Sequence, residues 1–285
     1  MRAEFADYCT KLLRRTPNGH VVFLGDISVG LFLSAPDGEL IDGVFNLGIL
    51  EQSMMSFAAG FSRGGGLPIV HSISPFIVER AYEQLKLDLC YNETKVIVVS
   101  ANGPFDYSKL GPTHHCSADI PLIDLLPRMS WAAPGRREDV SAVMDWAISQ
   151  NESVYIRLTN RSSTSDVKPG RLVAAKSVKD SEKGEKKLTV LVGEALSKFT
   201  DVLSDRTTLD SDFLYIWTAE QIPFDVLGTY QYVDLWEPYS RSVLADRIRE
   251  ALPNPSQLLS YTYPDSMEDG IFEDVQFTRR PVLSK

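Results

Sequence analysis

Short apolar runs of strand length alternate along the chain with segments whose apolar residues return every three or four positions. Residues 3–15 read as a short amphipathic helix, and His20-Val21-Val22-Phe23-Leu24 reads as a buried strand that closes on Gly25-Asp26. Within residues 45–66, Glu51, Met54, Met55, Ala58 and Phe61 fall on or near one helical face with Phe57 beside them, and glycines end the helix. A strand at 67–70 follows. A helix at 76–90 then carries Ile77, Val78, Ala81, Leu85 and Leu89 on its inner side. A buried-type strand at 95–101 leads into a loop at 102–116 rich in Gly, Pro and His. Beyond it the pattern predicts a short strand at 129–133, a helix at 138–150 and a strand at 153–158.

Apolar strands alternating with helices predict an α/β fold: a mostly parallel sheet covered on both faces. Ligands of such sheets sit beyond the carboxyl ends of the strands. Gly25-Asp26 and the 102–116 loop both lie at such ends, so the site is expected there. From about residue 160 the composition turns to Ser, Pro, Gly and mixed charge, which predicts an exposed linker. The expected organisation is a first domain over 1–165, a linker over 166–186 and a smaller α/β unit over 187–285. That unit is expected to have strands near 188–192, 213–217 and 230–235, a helix at 240–252 and a peripheral tail from 265. No internal repeat is visible.

Length and charge narrow the function classes. At 285 residues the chain is long enough for about two domains with real cores. A formal net charge of -9 and the lack of a basic, aromatic-interleaved patch argue against nucleic-acid binding. Cys9, Cys90 and Cys116 are odd in number and widely spaced, which fits a reducing compartment and neither a disulfide framework nor a zinc pattern. The first residues lack an apolar leader core, and no apolar run approaches the ~18 residues of a membrane span. A soluble cytoplasmic protein with no membrane contact is the expectation.

Two segments stand out chemically. Glu51 is a carboxylate in the first turn of an otherwise apolar helical stripe. Backbone amides at a helix start favour its charged form, whereas burial among methionines favours the neutral one. A carboxyl group so balanced is suited to share or trade a proton. The plainer alternative is a rim carboxylate that supports the helix dipole. The second segment, Gly111-Pro112-Thr113-His114-His115-Cys116, puts adjacent imidazoles on a loop, where they can bind an oxygen-rich substrate or move protons. They can equally be two partly exposed loop residues. Adjacent histidines with no obvious third ligand make a poor metal site, and no Gly-x-Ser-x-Gly nucleophile elbow occurs.

Taken together, these residues carry a resemblance. Asn46-Leu47-Gly48-Ile49-Leu50-Glu51-Gln52 and Ser56-Phe57-Ala58-Ala59-Gly60 begin it. Phe76, Arg80-Ala81-Tyr82-Glu83-Gln84, Gly111-Pro112-Thr113-His114-His115 and Leu126-Pro127-Arg128-Met129 continue it. Over about residues 25–160 the chain resembles the pyrimidine-binding portion of thiamine-diphosphate enzymes of the transketolase and deoxyxylulose-phosphate synthase group. The later unit resembles, more faintly, their carboxyl-terminal domain. The resemblance implies that Glu51 hydrogen-bonds the pyrimidine nitrogen of thiamine diphosphate and drives the ring to the tautomer whose exocyclic nitrogen takes the thiazolium proton. It also implies that Phe76 stacks on the pyrimidine, that Asp26 and Ile27 line the cofactor pocket, and that His114, with His115 beside it, contacts substrate oxygens.

The family's Gly-Asp-Gly diphosphate motif occurs nowhere in the sequence. The resemblance therefore implies one half of a split enzyme. A separate Gly-Asp-Gly subunit would hold the diphosphate and a divalent metal such as Mg2+, most simply in an α2β2 heterotetramer, and this chain would hold no metal itself. Three positions depart from the sugar-phosphate pattern. Leu110 stands where a hydroxyl-reading Asp is usual, Asn102 stands where His or Arg is usual, and the phosphate-binding Arg falls near Asn160, with Arg161 one step off. An apolar residue in place of the hydroxyl reader would leave a polyol unpaired at a cost of about 1–3 kcal/mol. The expectation is two-carbon ketol transfer from a ketose-type donor to an unusual acceptor, a specialised sugar or a carrier-bound acyl group. Within enzymes, a deoxyxylulose-phosphate-synthase-like or oxo-acid-dehydrogenase-beta-like half acting on an oxo acid is the alternative. A non-catalytic assembly or regulatory partner is the alternative from another class.

Overall fold

The computed structural model describes residues 1–36, 38–103, 106–174, 186–199, 203, 211–227, 229–230, 232–237, 244–252, 254 and 258–262. They divide into two compact units, Met1–Asn160 and Arg161–Lys285. The first is built on six parallel strands: β1 (His20–Leu24), β2 (Val44–Asn46), β3 (Leu67–Ser72), β4 (Ile97–Ser100), β5 (Met129–Ala132) and β6 (Ser153–Arg157). Their order in the sheet is β2-β1-β3-β4-β6-β5. The central strands are buried on both faces, which is why they read as continuous Val/Ile runs rather than alternating ones.

Helix α1 (Arg2–Arg15) lays Phe5, Cys9, Leu12 and Leu13 into this core. Its Tyr8 hydroxyl donates to Asp145 on the helix Val140–Ser149. Helix α2 (Glu51–Arg63) buries Glu51, Met54, Met55, Ala58 and Ala59 and ends on Gly64. The expected inner face is corrected at its edge: Phe57 is 65% exposed and Phe61 is 36% exposed. Both lie round the helix from the Glu51–Met54–Met55–Ala58 stripe, and Phe61 only reaches the sheet sideways, edge-on to Phe23. The helix expected at 76–90 is wound as two wider π-type turns, Pro75–Arg80 and Leu85–Tyr91, around a short α-turn, Tyr82–Gln84. Its inner residues are those anticipated, with Ile77, Val78, Ala81, Leu85 and Leu89 buried.

The second unit holds a mixed five-stranded sheet. Its strands are β7 (Leu172–Val173), β8 (Lys187–Val192), β9 (Asp212–Ile216), β10 (Tyr232–Glu237) and β11 (Leu258–Thr262), in the order β11-β10-β8-β9-β7. Among these described strands only β7 runs antiparallel, against β9. Leu172–Val173 and the buried Ser163, Ser165 and Val167 all fall in or just before the segment expected to be exposed linker. The helix expected at 240–252 is Ala245–Ala251; residues 240–243, most of the expected linker and the tail lie outside the described residues. Among the described residues no helix is long and apolar enough to cross a membrane.

Candidate active site

The carboxyl ends of β1, β3 and β4 lie side by side in register, with Leu24 opposite His71 and Ser72 opposite Ser100. The turn after β1 stays close to β3 because the Gly25 N–H donates to the His71 carbonyl at 2.9 Å. A Cβ on Gly25 would stand 2.8 Å from Ser72 Oγ, 2.9 Å from Ser72 Cβ and 3.4 Å from Glu51 Oε1. Glycine is what lets this backbone approach the first turn of α2.

Glu51 is 1% exposed at the start of the thirteen-residue α2. Ser72 Oγ donates to its Oε1 at 2.7 Å and Arg80 Nη1 donates to its Oε2 at 2.9 Å. A carboxylate taken out of water is tolerated only with such charged and hydrogen-bonding partners. The Arg80 guanidinium also lies over the Phe76 ring, 4.1 Å from its centroid. The edge of Phe76 meets His114 at 5.3 Å between ring centroids, and His114 packs in turn on Tyr107 at 6.2 Å. Thr113 Oγ1 is 2.9 Å from His114 Nδ1, leaving the other ring nitrogen for a different partner. Glu51, Phe76 and His114, far apart in sequence, thus belong to one contiguous cluster.

The other candidates are placed as follows. Asp26 is exposed in the left-handed region, at φ 58. Asn46 clamps it there: its Oδ1 accepts from the Asp26 N–H at 3.0 Å and its Nδ2 donates to Asp26 Oδ1 at 3.1 Å. Ile27 is half-buried beside it, and His115 is half-buried next to His114. Asn102, which stands where His or Arg was expected, acts as an internal clamp in this structure. It is fully buried, its Oδ1 accepting from the Ser74 N–H at 3.2 Å and its Nδ2 donating to the Gly103 carbonyl at 3.0 Å. Arg161 is half-buried as the first residue of the second unit. Leu110 is 56% exposed.

Sequence reasoning did not single out Ser72, Arg80 or His71 as site residues. His71 donates from Nδ1 to the Val99 carbonyl at 2.9 Å and meets Ser28 Oγ at 3.0 Å through Nε2. Burial pushes its pKa down to about 4, so the neutral ring holds Ser28, itself at φ 61, behind the Asp26 turn. Beneath the histidine loop, buried Asp119 accepts from the Tyr155 hydroxyl at 2.7 Å and from Arg157 Nη1 at 3.0 Å. Burial, with Asp119 next, holds the Tyr155 phenol well above its ordinary range, so it stays a donor; burial likewise raises the Cys116 thiol. Two of these missed residues had a weak signal: Ser72 is a hydroxyl ending an apolar strand, and Arg80 stands one helical turn beyond Phe76.

The chain is similar in sequence and fold to known proteins. The family described as "transketolase, pyrimidine binding domain" matches residues 1–183. An uncharacterized 33.6 kDa protein in the fasciation locus of Rhodococcoides fascians is 30% identical over 258 residues, 87% of this chain and 80% of that protein. One of the subunits of the apulose-4-phosphate transketolase of Actinobacillus succinogenes is 36% identical over 123 residues, so the match spans 43% of this chain and only 40% of that relative. Among solved structures, a split-gene transketolase described as an inactive beta4 tetramer shares the fold with a TM-score of 0.74 at 20% identity, over 98% of this chain and 94% of that one.

Proposed function

The chain belongs to the transketolase pyrimidine-binding domain family, and from that premise we propose that it is the pyrimidine-binding half of a two-component, thiamine-diphosphate-dependent transketolase-like enzyme. The reaction is transfer of a two-carbon ketol unit from a ketose-type donor to an acceptor. A separate Gly-Asp-Gly subunit holds the diphosphate and Mg2+, in a cytoplasmic α2β2 assembly. The observation that carries the proposal is Glu51: a carboxylate 1% exposed at the carboxyl end of the sheet, with an aromatic ring and an imidazole in the same cluster.

The residues present fit the pyrimidine portion of the cofactor. Glycine at position 25 keeps the backbone close to Glu51 Oε1, where a side chain would intrude, and Phe76 offers a flat apolar face. When bound, thiamine diphosphate supplies the carbanion-stabilising chemistry that no side chain can. Glu51 is the hydrogen-bonding acid toward the ring nitrogen, and its low-polarity surroundings strengthen that bond beyond its value in water. Ser72 fixes the carboxylate plane through Oε1. His114 binds or protonates a substrate oxygen from the loop, held by Phe76 and Tyr107. His115 lies next to it on the substrate side, and Asp26 and Ile27 line the cofactor pocket from the β1 turn. Arg161 is a candidate phosphate ligand. The exposed apolar Leu110 supports an acceptor other than a standard aldose phosphate.

The test is to copurify the chain with a Gly-Asp-Gly subunit and titrate the pair with thiamine diphosphate and Mg2+. The donor panel contains common ketose phosphates, apulose 4-phosphate (the compound in the name of one relative) and pyruvate. Ketol transfer that requires both chains and the cofactor is the expected result. Carbon dioxide release from pyruvate with no ketose cleavage would replace this reading with the oxo-acid one.

A further inference from the structure

One side chain covers both features that the pyrimidine would use. The Arg80 guanidinium donates to Glu51 Oε2 at 2.9 Å and lies 4.1 Å over the Phe76 centroid, while its own side chain is 41% exposed. A guanidinium is flat, carries in-plane N–H donors on an N–C–N edge and stacks on aromatic faces. A 4-aminopyrimidine has a flat aromatic face of similar size, and its ring nitrogen, on taking the Glu51 proton, becomes an in-plane N–H donor to the same carboxylate. The two groups therefore compete for one carboxyl oxygen and one aromatic surface.

Resting on the function proposed above, we propose that Arg80 is a built-in placeholder for the aminopyrimidine, seated on Glu51 and Phe76 in the unloaded chain and displaced to solvent on cofactor binding. Physical need supplies the reason for a placeholder. Glu51 is 1% exposed, and a carboxylate buried that deeply without a counter-charge is strongly destabilising. Arg80 neutralises it until the ring arrives, and Ser72 keeps Oε1 throughout. The half-exposed head on a long, flexible stem leaves the seat without disturbing the backbone. The cost of displacement appears as weakened cofactor affinity, by the fraction of chains whose seat is open.

The probe is 4-amino-5-hydroxymethyl-2-methylpyrimidine, titrated calorimetrically into the isolated full-length chain, with thermal unfolding measured alongside. Arg80→Ala is expected to lower the unfolding temperature without ligand and to bind the probe about tenfold or more tightly than the wild type, as expected for a seat closed at least nine-tenths of the time. Millimolar methylguanidinium is expected to restore the unfolding temperature of that variant and to weaken its probe binding. Should Arg80→Ala fail to fold, Arg80→Lys keeps the counter-charge but loses the flat stacking face, and it too is expected to bind more tightly than the wild type. A folded variant with unchanged or weaker affinity, in a chain whose wild type binds the probe, overturns the placeholder alone. No probe binding by the wild type or any variant also overturns the placeholder, because the vacated seat then does not take the ring, while the function proposed above is tested on the two-chain assembly.

Discussion

Glu51, Ser72 and Gly25 form a packed trio in which each residue depends on the others' size. A methyl at position 25 would sit 2.8 Å from Ser72 Oγ and 2.9 Å from its Cβ. Gly25→Ala is therefore expected to destabilise the chain by about 1–3 kcal/mol. Denaturant unfolding checks the value, and adding Ser72→Gly should recover part of it. His71 gives a pH signature. Its folded pKa, about 4, lies below the ordinary 6.5 because the ring is buried. The unfolded chain then binds the proton more readily, so stability is full above about pH 6.5 and declines as pH falls toward 4. The loss is up to about 3 kcal/mol. Unfolding at stepped pH measures the slope, and His71→Asn should flatten this part of it. A slope that is the same with and without His71 would show that other groups set the acid limit.

Among elements, what was legible followed from burial on both faces. β1 reads to the residue because every position from Val21 to Leu24 is buried. β2 is three residues with two exposed, and β7 is two residues, so neither has a pattern to read. The π-type winding within the 75–91 segment keeps the inner apolar residues that predict a helix, and its first π-type turn, Pro75–Arg80, carries Phe76 and Arg80. The burial of Glu51 was legible because the charge sits within an apolar helical stripe. The burial of Asn102 was not legible because its partner, Ser74, is a neighbour only through the sheet. His71 and Ser28 escaped for the same reason. The outer edge of α2 offers a direct check: Met55→Ala, in the core, is expected to cost about 2–5 kcal/mol, and Phe57→Ser less than about 1 kcal/mol. Comparable losses by chemical denaturation would place Phe57 inside.

At the scale of the whole molecule, the first unit has its own sheet and core within Met1–Asn160. The fragment 1–160 is expected to unfold in one cooperative thermal transition; its absence would show that the later residues are needed for the fold. Activity, on this account, is a property of two chains, with this one supplying the acid, the stacking face and the imidazole. The most direct test is turnover of the assembled pair carrying Glu51→Gln at saturating thiamine diphosphate. The amide keeps the shape and loses the acid, so the pair should still form while ketol transfer falls by about a hundredfold or more. Activity within a few-fold of the wild type would contradict the assignment of Glu51.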